Sequence, residues 1–295
     1  MCTYAFFLDV AMDRNDLEKC LLFRSVCKDW MKTVHEIGHP TVTIKHATHE
    51  SLTILHSIFD SPQLRIKRLT QNLEVFRNRK YMSVSLKMIP TRHLAPLANV
   101  PELHFLACDM LSSVREIKDV HTLSLIDCGR IYDLSCLTYI RTLNLAECTW
   151  LHELGFLSDI SSTLRELDIS LTKVTNIYPI SLCDLEWLDI GGLEVEDISA
   201  LVGIPRVEMN CCRRVTNVSP LQYAKELDLG YCTAVEGLAS LKDVGKIQLR
   251  GFNGLIPLSL LSQAYPSLNI RCDEFKAVPG FLHVKEFFGI IGDNC

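Results

Sequence analysis

A short alternating motif, apolar–x–apolar, recurs twelve times along the 295-residue chain at intervals of 19 to 24 residues. Strict alternation over a few residues is a strand signal, and a fixed period of about 20 to 50 residues marks a repeat architecture in which each unit stacks on the next. This repeat therefore predicts a solenoid in which each coil contains about twenty residues. The motifs begin at Val42, Leu64, Val84, Leu103, Leu123, Leu143, Leu167, Leu188, Val207, Leu227, Ile247 and Leu268.

Between the strands, apolar residues lie three positions apart. Ile131, Leu134 and Leu137, for example, precede the strand at Leu143. A step of three suits a 3₁₀ or polyproline-like return segment, whereas an α-helix would show a mixed spacing of three and four. Prolines within four of the returns also disfavour continuous α-helix, so we expect mostly non-α returns. These prolines are Pro96, Pro179, Pro220 and Pro257.

A third repeated position follows each of eight strand starts by five residues and is mostly cysteine. Cysteine or threonine can pack inside the turn and offer a hydrogen to a neighbouring backbone carbonyl. We therefore expect reduced, buried cysteines and a cytoplasmic or nuclear location, where thiols persist. The position is occupied by Cys108, Cys128, Cys148, Thr172, Leu193, Cys212, Cys232 and Phe252.

The stretches "VHTLSLIDCGRI", "IRTLNLAECTWL" and "AKELDLGYCTAV" carry the motif most clearly. This pattern resembles the leucine-rich repeat, L-x-x-L-x-L-x-x-N/C-x-L, in its short, cysteine-containing form. The resemblance implies an α/β fold: a right-handed horseshoe solenoid with a parallel β-sheet on its concave side and mostly non-α convex returns. We expect about twelve coils over residues 39–272, a short helical N-terminal segment over 1–38 and a C-terminal cap over 273–295.

The segment "FRSVCKDWMKTV" departs from the repeat, and its letters are similar to the R-x-V-C-K-x-W ending of the F-box. "FFLD" at residues 6–9 resembles the middle of that motif, while its opening L-P-x-E helix is missing. The resemblance implies binding to the Skp-type adaptor of a cullin–RING ubiquitin ligase; the alternative is a segment that only caps the first coil. The residues concerned are Phe7, Leu8, Leu17, Leu21, Arg24, Val26, Cys27 and Trp30.

Residues between the paired apolar positions of a strand point away from the core. Here four consecutive coils place a carboxylate there, and Trp187 lies beside them as an aromatic anchor. Aligned like charges cost stability, which favours a docking site for a basic segment of a protein partner. The alternative is that acidic residues are simply tolerated on an open face. The acidic positions are Glu166, Asp168, Asp189, Glu208, Glu226 and Asp228.

The remaining features argue against other classes of function. A formal charge of −5 disfavours a general nucleic-acid binder, and no apolar run approaches the roughly 18 residues of a membrane helix. Phosphate-loop, nucleophile-elbow and zinc-protease motifs are missing from the sequence. We therefore expect a monomeric, non-enzymatic protein without metal or cofactor. It would be the substrate-recognition subunit of a Skp–cullin–F-box ligase or, alternatively, a plain recognition scaffold or inhibitor with no ubiquitin role.

Overall fold

The computed structural model describes most of the repeat region and parts of both ends of the chain. It divides into two compact units, Met1–Thr142 and Leu143–Cys295. The described residues are 11–12, 41–58, 61–69, 73–117, 119–129, 131, 133–235, 238–241, 244–257, 275–278, 281–287 and 290–292.

Parallel strands in chain order form the sheet of the Met1–Thr142 unit. Neighbouring strands pair so that the first apolar residues of successive repeats meet: Val42 faces Leu64, and Leu103 faces Leu123. The predicted register of the repeat is thus confirmed here. The strands are β1 (Ala11–Met12), β2 (Thr41–Ala47), β3 (Gln63–Leu69), β4 (Ser83–Lys87), β5 (Glu102–Leu106) and β6 (Thr122–Ile126).

The Leu143–Cys295 unit repeats this arrangement with shorter strands, and Leu167 pairs in register with Leu188, as Val207 does with Leu227. The last strand of the unit, β16, pairs antiparallel with β12 and extends the sheet there. The strands are β8 (Glu166–Asp168), β9 (Trp187–Asp189), β10 (Arg206–Glu208), β11 (Glu226–Asp228), β12 (Lys246–Gln248) and β16 (Ile290–Gly292). The strand before them, β7 (Thr142–Asn144), spans the division between the units.

Most returns in the described ranges contain 3₁₀ turns, as the three-residue spacing predicts. Proline occupies one of the first two positions in three of them, where its missing N–H costs nothing. The turns are Leu73–Phe76, Ala95–Leu97, Tyr178–Leu182, Ser199–Leu201, Ser219–Leu221 and Ala239–Leu241. Pro257 lies instead at the end of a strand, β13 (Phe252–Pro257), which forms a small antiparallel sheet with β14 (Phe275–Val278) and β15 (Phe281–Phe287).

The first return is α-helical, which the three-residue spacing did not predict. Helix α1 (His49–Ile58) begins with a reciprocal cap: the Ser51 N–H donates to Thr48 Oγ1 at 3.1 Å, and the Thr48 N–H donates to Ser51 Oγ at 2.9 Å. These bonds satisfy amides that the first turn of a helix leaves without partners. A second, one-turn helix, α2 (Leu157–Ile160), lies in the return before β8.

The core contains the apolar residues that the repeat predicts to face inward. The first apolar residue of the repeat motif in every strand from β2 to β12 is at most 2% exposed. The cysteine position is buried as well, and its side chains donate to carbonyls: Cys232 Sγ to Met209 O at 2.9 Å, and Thr172 Oγ1 to Ile169 O at 2.7 Å. Packing in the described coils therefore matches the prediction. The twelfth motif, at Leu268, lies outside the described residues.

In nine of the described coils, the residue four positions after the first apolar residue of the motif adopts a left-handed backbone conformation, with φ between 48° and 74°. Its amide continues the sheet ladder, as when the Leu171 N–H donates to Gly191 O at 2.8 Å. The sequence repeat does not reveal this feature. Glycine is the residue that favours the left-handed conformation, and only two of the nine residues are glycine. The positions are Met88, Ala107, Asp127, Glu147, Leu171, Gly192, Cys211, Tyr231 and Gly251.

The predicted end segments are covered only in part. Within the segment 1–38, which was expected to be helical, the described residues Ala11–Met12 form strand β1, paired parallel with β2. The other residues of this segment lie outside the described ranges, so helices there stay a prediction. The antiparallel β13 begins at Phe252, within the range expected for the solenoid, and the boundaries at 38 and 272 also stay predictions. Among the described residues, no helix is long and apolar enough to cross a membrane.

Candidate functional site

The outward face of the sheet in the Leu143–Cys295 unit brings together all seven residues expected to bind a partner. Two rows cross the strands in register. The carboxylate row consists of Asp168, Asp189, Glu208 and Asp228. The alternating row, two residues earlier on each strand, consists of Glu166, Trp187, Arg206, Glu226 and Lys246.

The aspartates of the carboxylate row bind their own backbone. Asp168 Oδ1 accepts from the Ser170 N–H at 3.0 Å, and Asp228 Oδ1 accepts in the same way from the Gly230 N–H at 2.9 Å. Because each strand ends at its aspartate, the amide two residues later needs an acceptor outside the strand ladder. These carboxylates are therefore structural as well as acidic, which the alignment of letters alone did not show.

Further contacts cover the two ends of the carboxylate row. Asn144 Nδ2 donates to Asp168 Oδ2 at 2.7 Å, and Arg250 Nη2 lies 3.6 Å from Asp228 Oδ2. Asp168 and Asp228 are accordingly only 8% and 6% exposed. The centre of the row, Asp189 and Glu208, is less deeply buried and is the part of the row most open to a partner.

Asp189 has the most perturbed acidity on this face. Burial raises the pKa of its carboxyl to about 7, and the charges of Asp168, Glu208 and Asp228 raise it further, against the lowering effect of the hydrogen bond from the Gly191 N–H. That hydrogen bond is 2.7 Å long. A cation brought to this point would favour the ionised carboxylate and so release a proton.

Trp187 is held across the face by a single hydrogen bond. Its indole Nε1 donates to Glu208 Oε1 at 3.0 Å, so the ring leans from β9 toward the carboxylate row on β10. A carboxylate has two oxygens, and the second is left for another donor. The tryptophan and the glutamate thus form a preorganised pair, as expected for an aromatic anchor beside an acidic group.

The face is less uniformly acidic than the sequence interpretation assumed. The register places Arg206 between Trp187 and Glu226, and Lys246 next to Glu226. The sequence analysis named the acidic residues of this face and Trp187, and it missed Arg206. The signal was available, because Arg206 lies two residues before Glu208 and therefore on the same side of the strand.

A small dent of about 60 Å³ opens on this face, and Val207 and Leu227 are among the residues that line it. Glu208 and Asp228 line one side, and Arg206, Glu226 and Lys246 line the other. Trp187 and Gln248 complete the lining. The dent is therefore shared by the carboxylate row and the alternating row.

A larger hollow of about 430 Å³ lies on the return side of the same unit. Several of its polar groups are already engaged: Glu196 pairs with Arg214, and Asp197 Oδ1 accepts from the Ser199 N–H at 2.8 Å. Among the described residues, no three histidine, cysteine, aspartate or glutamate side chains cluster as a metal site. The outward sheet face thus remains the candidate functional site.

The eight residues expected to bind an adaptor are not placed by the structure. All eight lie outside the described residues: Phe7, Leu8, Leu17, Leu21, Arg24, Val26, Cys27 and Trp30. Their proximity to one another stays a prediction.

Comparison with solved structures decides the fold. The internalin InlF of Listeria monocytogenes, a leucine-rich-repeat protein, superposes with a TM-score of 0.53 at 19% identity, covering 72% of this chain and 66% of its own length. The chain has the leucine-rich-repeat fold. At this identity the structural similarity establishes the fold alone. The present chain spans slightly less than two thirds of the length of that internalin.

Two further internalin structures from the same organism match less well. InlC2 gives a TM-score of 0.40 at 20% identity, and the match covers 69% of the present chain and 84% of the InlC2 chain. The functional domain of InlJ, described as including a cysteine ladder, gives 0.41 at 11% identity, covering 74% and 63%. No protein-family model and no curated protein sequence matches the chain.

Proposed function

We propose that the chain is a non-enzymatic protein-binding scaffold whose outward sheet face in the Leu143–Cys295 unit holds a basic segment of a partner. The carboxylate row carries this proposal. Its central members, Asp189 and Glu208, lie in register on neighbouring strands beside the indole of Trp187. The backbone hydrogen bonds of the aspartates do not account for Glu208, and gathering its charge beside theirs costs stability that a cationic partner would offset.

Photo-crosslinking from the face tests this proposal. A photoreactive benzoylphenylalanine in place of Gln248, at the end of the carboxylate row, is expected to capture a partner from lysate through a peptide rich in lysine or arginine. Gln222 lies in a return of the same unit and is comparably accessible, so the same replacement there is the matched control. Mass spectrometry of the crosslinked peptide is the measurement. Equal capture from both positions, or a crosslinked peptide without basic residues, would contradict the proposal.

The finer role that we propose is the substrate-recognition subunit of a Skp–cullin–F-box ubiquitin ligase. Its support is the sequence of the N-terminal segment, where Arg24, Val26, Cys27 and Trp30 match the F-box ending and the repeats follow in that family's order. In this role the protein brings a target close to a separate enzyme, so it needs no catalytic side chain. The role implies a cytoplasmic or nuclear protein.

Binding to a purified Skp-type adaptor separates the ligase subunit from a plain scaffold. Trp30→Ala is expected to weaken adaptor binding at least about tenfold, because a tryptophan at the centre of an interface typically contributes 2 kcal/mol or more. Calorimetric titration measures the change, and Trp150→Ala, a tryptophan substitution outside the segment, is the control. Absence of binding by the wild-type chain would favour the plain scaffold or inhibitor.

A further inference from the structure

We infer that the dent between the two rows receives the guanidinium group of one arginine side chain of the partner. This inference rests on the proposed function, because the occupant belongs to the segment held on the sheet face. It adds which side chain is recognised and where. Three features of the dent carry it: its volume, the acceptors on its two sides, and the fixed indole at one end.

The volume of the dent restricts the occupant to a small group. The dent measures about 60 Å³, several times the roughly 10–15 Å³ that a cavity needs to hold one water molecule. A charged head group fits such a space. The dent also lies directly over the strands, where a partner side chain can reach it from above.

Acceptors lie on both sides of the dent. Glu208 and Asp228 stand on one side, and Glu226 stands on the other. Since Arg250 already faces Asp228 and the indole of Trp187 occupies one oxygen of Glu208, the main remaining acceptors are Glu208 and Glu226. Two acceptors on opposite sides favour the planar guanidinium with its five N–H donors over the compact ammonium of lysine.

Trp187 would complete the contact with the same side chain. The hydrogen bond to Glu208 fixes the indole at the end of the dent. Arginine stacks on aromatic faces, and the aliphatic part of its side chain packs on apolar surface. An arginine whose head lies between Glu208 and Glu226 therefore places its stem against the tryptophan.

Arg206 and Lys246 define a second requirement on the partner. They flank Glu226 in the alternating row, one row away from Glu208. The two rows are two residues apart along each strand, about 6.6 Å, and an extended partner segment has the same spacing between residues i and i+2. A segment with arginine and a carboxylate two residues apart thus matches the charges of both rows.

The probe that tests this inference is an acetylated nine-residue peptide with Arg-Ser-Glu at its centre. It is titrated into the full chain while the indole N–H resonance of Trp187, assigned with Trp187→Phe, is followed by NMR. A saturable shift is expected. Replacing the arginine with uncharged citrulline, or Glu208 with glutamine, should weaken binding at least about tenfold, since each removes a charge-assisted hydrogen bond.

The controls keep the outcome specific to the dent. Glu208→Gln retains an amide oxygen that can accept from the indole, so the marker resonance stays in place. Glu153→Gln makes the same charge change on an exposed return residue of the same unit and should leave the affinity unchanged. No saturable shift, equal binding of the citrulline peptide, or an unchanged affinity in Glu208→Gln would each overturn the inference.

Failure of this inference is distinguishable from failure of the proposed function. If benzoylphenylalanine in place of Gln248 still crosslinks to a basic partner peptide while the arginine probe does not shift the indole resonance of Trp187, the proposed scaffold function stands and the arginine site is wrong. If neither experiment shows binding at this face, the docking surface itself is wrong. A lysine peptide that binds more tightly than the arginine peptide would also overturn the inference, because it contradicts recognition by paired acceptors.

Discussion

Gly129→Ala is expected to destabilise the Met1–Thr142 unit by about 3 kcal/mol. A Cβ atom at Gly129 would overlap the carbonyl oxygen of Asp109 and lie 2.8 Å from its carbonyl carbon, on the coil before it. Both atoms belong to the backbone, so neither can move aside as the end of a flexible side chain could. Chemical denaturation followed by circular dichroism measures the loss in free energy of unfolding.

The matched control for this change is Gly155→Ala. A Cβ atom at Gly155 would meet nothing within 4 Å, so the same added methyl group should change stability by no more than about 1 kcal/mol, in the stabilising direction. Gly129 directly follows Cys128, whereas Gly155 lies in the return before β8, and the substitution adds the same methyl group at both. Similar losses in the two variants would contradict the close approach of neighbouring coils at Gly129.

Asp189→Asn is expected to make the protein more stable than wild type at alkaline pH, by about 2 kcal/mol above pH 8 after allowance for partial exposure to solvent. The pKa of the Asp189 carboxyl is raised to about 7, chiefly by burial. The contribution of a group with a raised folded-state pKa is fully present below its unfolded pKa and is lost as the pH rises through the folded value. Asparagine keeps the oxygen that accepts from Gly191 and carries no charge.

Unfolding free energies between about pH 3.5 and pH 9 test this expectation. The difference between wild type and Asp189→Asn should be smallest near pH 4, grow as the pH rises toward 7 and level off above it, because the loss is spread between the unfolded-state pKa of 3.8 and the folded-state pKa of about 7. Subtracting the wild-type values also cancels the effect of His56, which is present in both proteins. Burial lowers the pKa of His56 to about 4, so its contribution to stability is lost as the pH falls, opposite in direction to that of Asp189. Asp184→Asn, an exposed position, gives the baseline. A difference that does not vary with pH would show that Asp189 is ionised throughout.

Much of the fold could be predicted from the amino-acid sequence. The alternation at Leu103 or Leu188 requires a strand with one buried side, and a period near twenty residues requires the strands to stack in register. The prolines of the returns and the cysteines inside the turns follow from the same reasoning. These features depend on local patterns that every coil repeats, which is why they are visible without a structure.

The repeat pattern does not predict other features of the fold. The helix α1 replaces a 3₁₀ return because Thr48 and Ser51 cap it reciprocally, and the left-handed residues of each coil are set by the ladder to the next coil rather than by their own side chains. On the candidate site, the letters placed the carboxylates of Asp168 and Asp228 in one row but not their bonds to the backbone or to Arg250.

The amino-acid sequence by itself determined which residues face the core and which lie in rows across the sheet, because burial of apolar side chains acts with the period of the chain. Only the tertiary structure decided which of those outward carboxylates are already bound and which can meet a partner. Hydrogen bonds and charge pairs depend on distances between side chains of different coils, such as Trp187 and Glu208, and periodicity does not encode those distances.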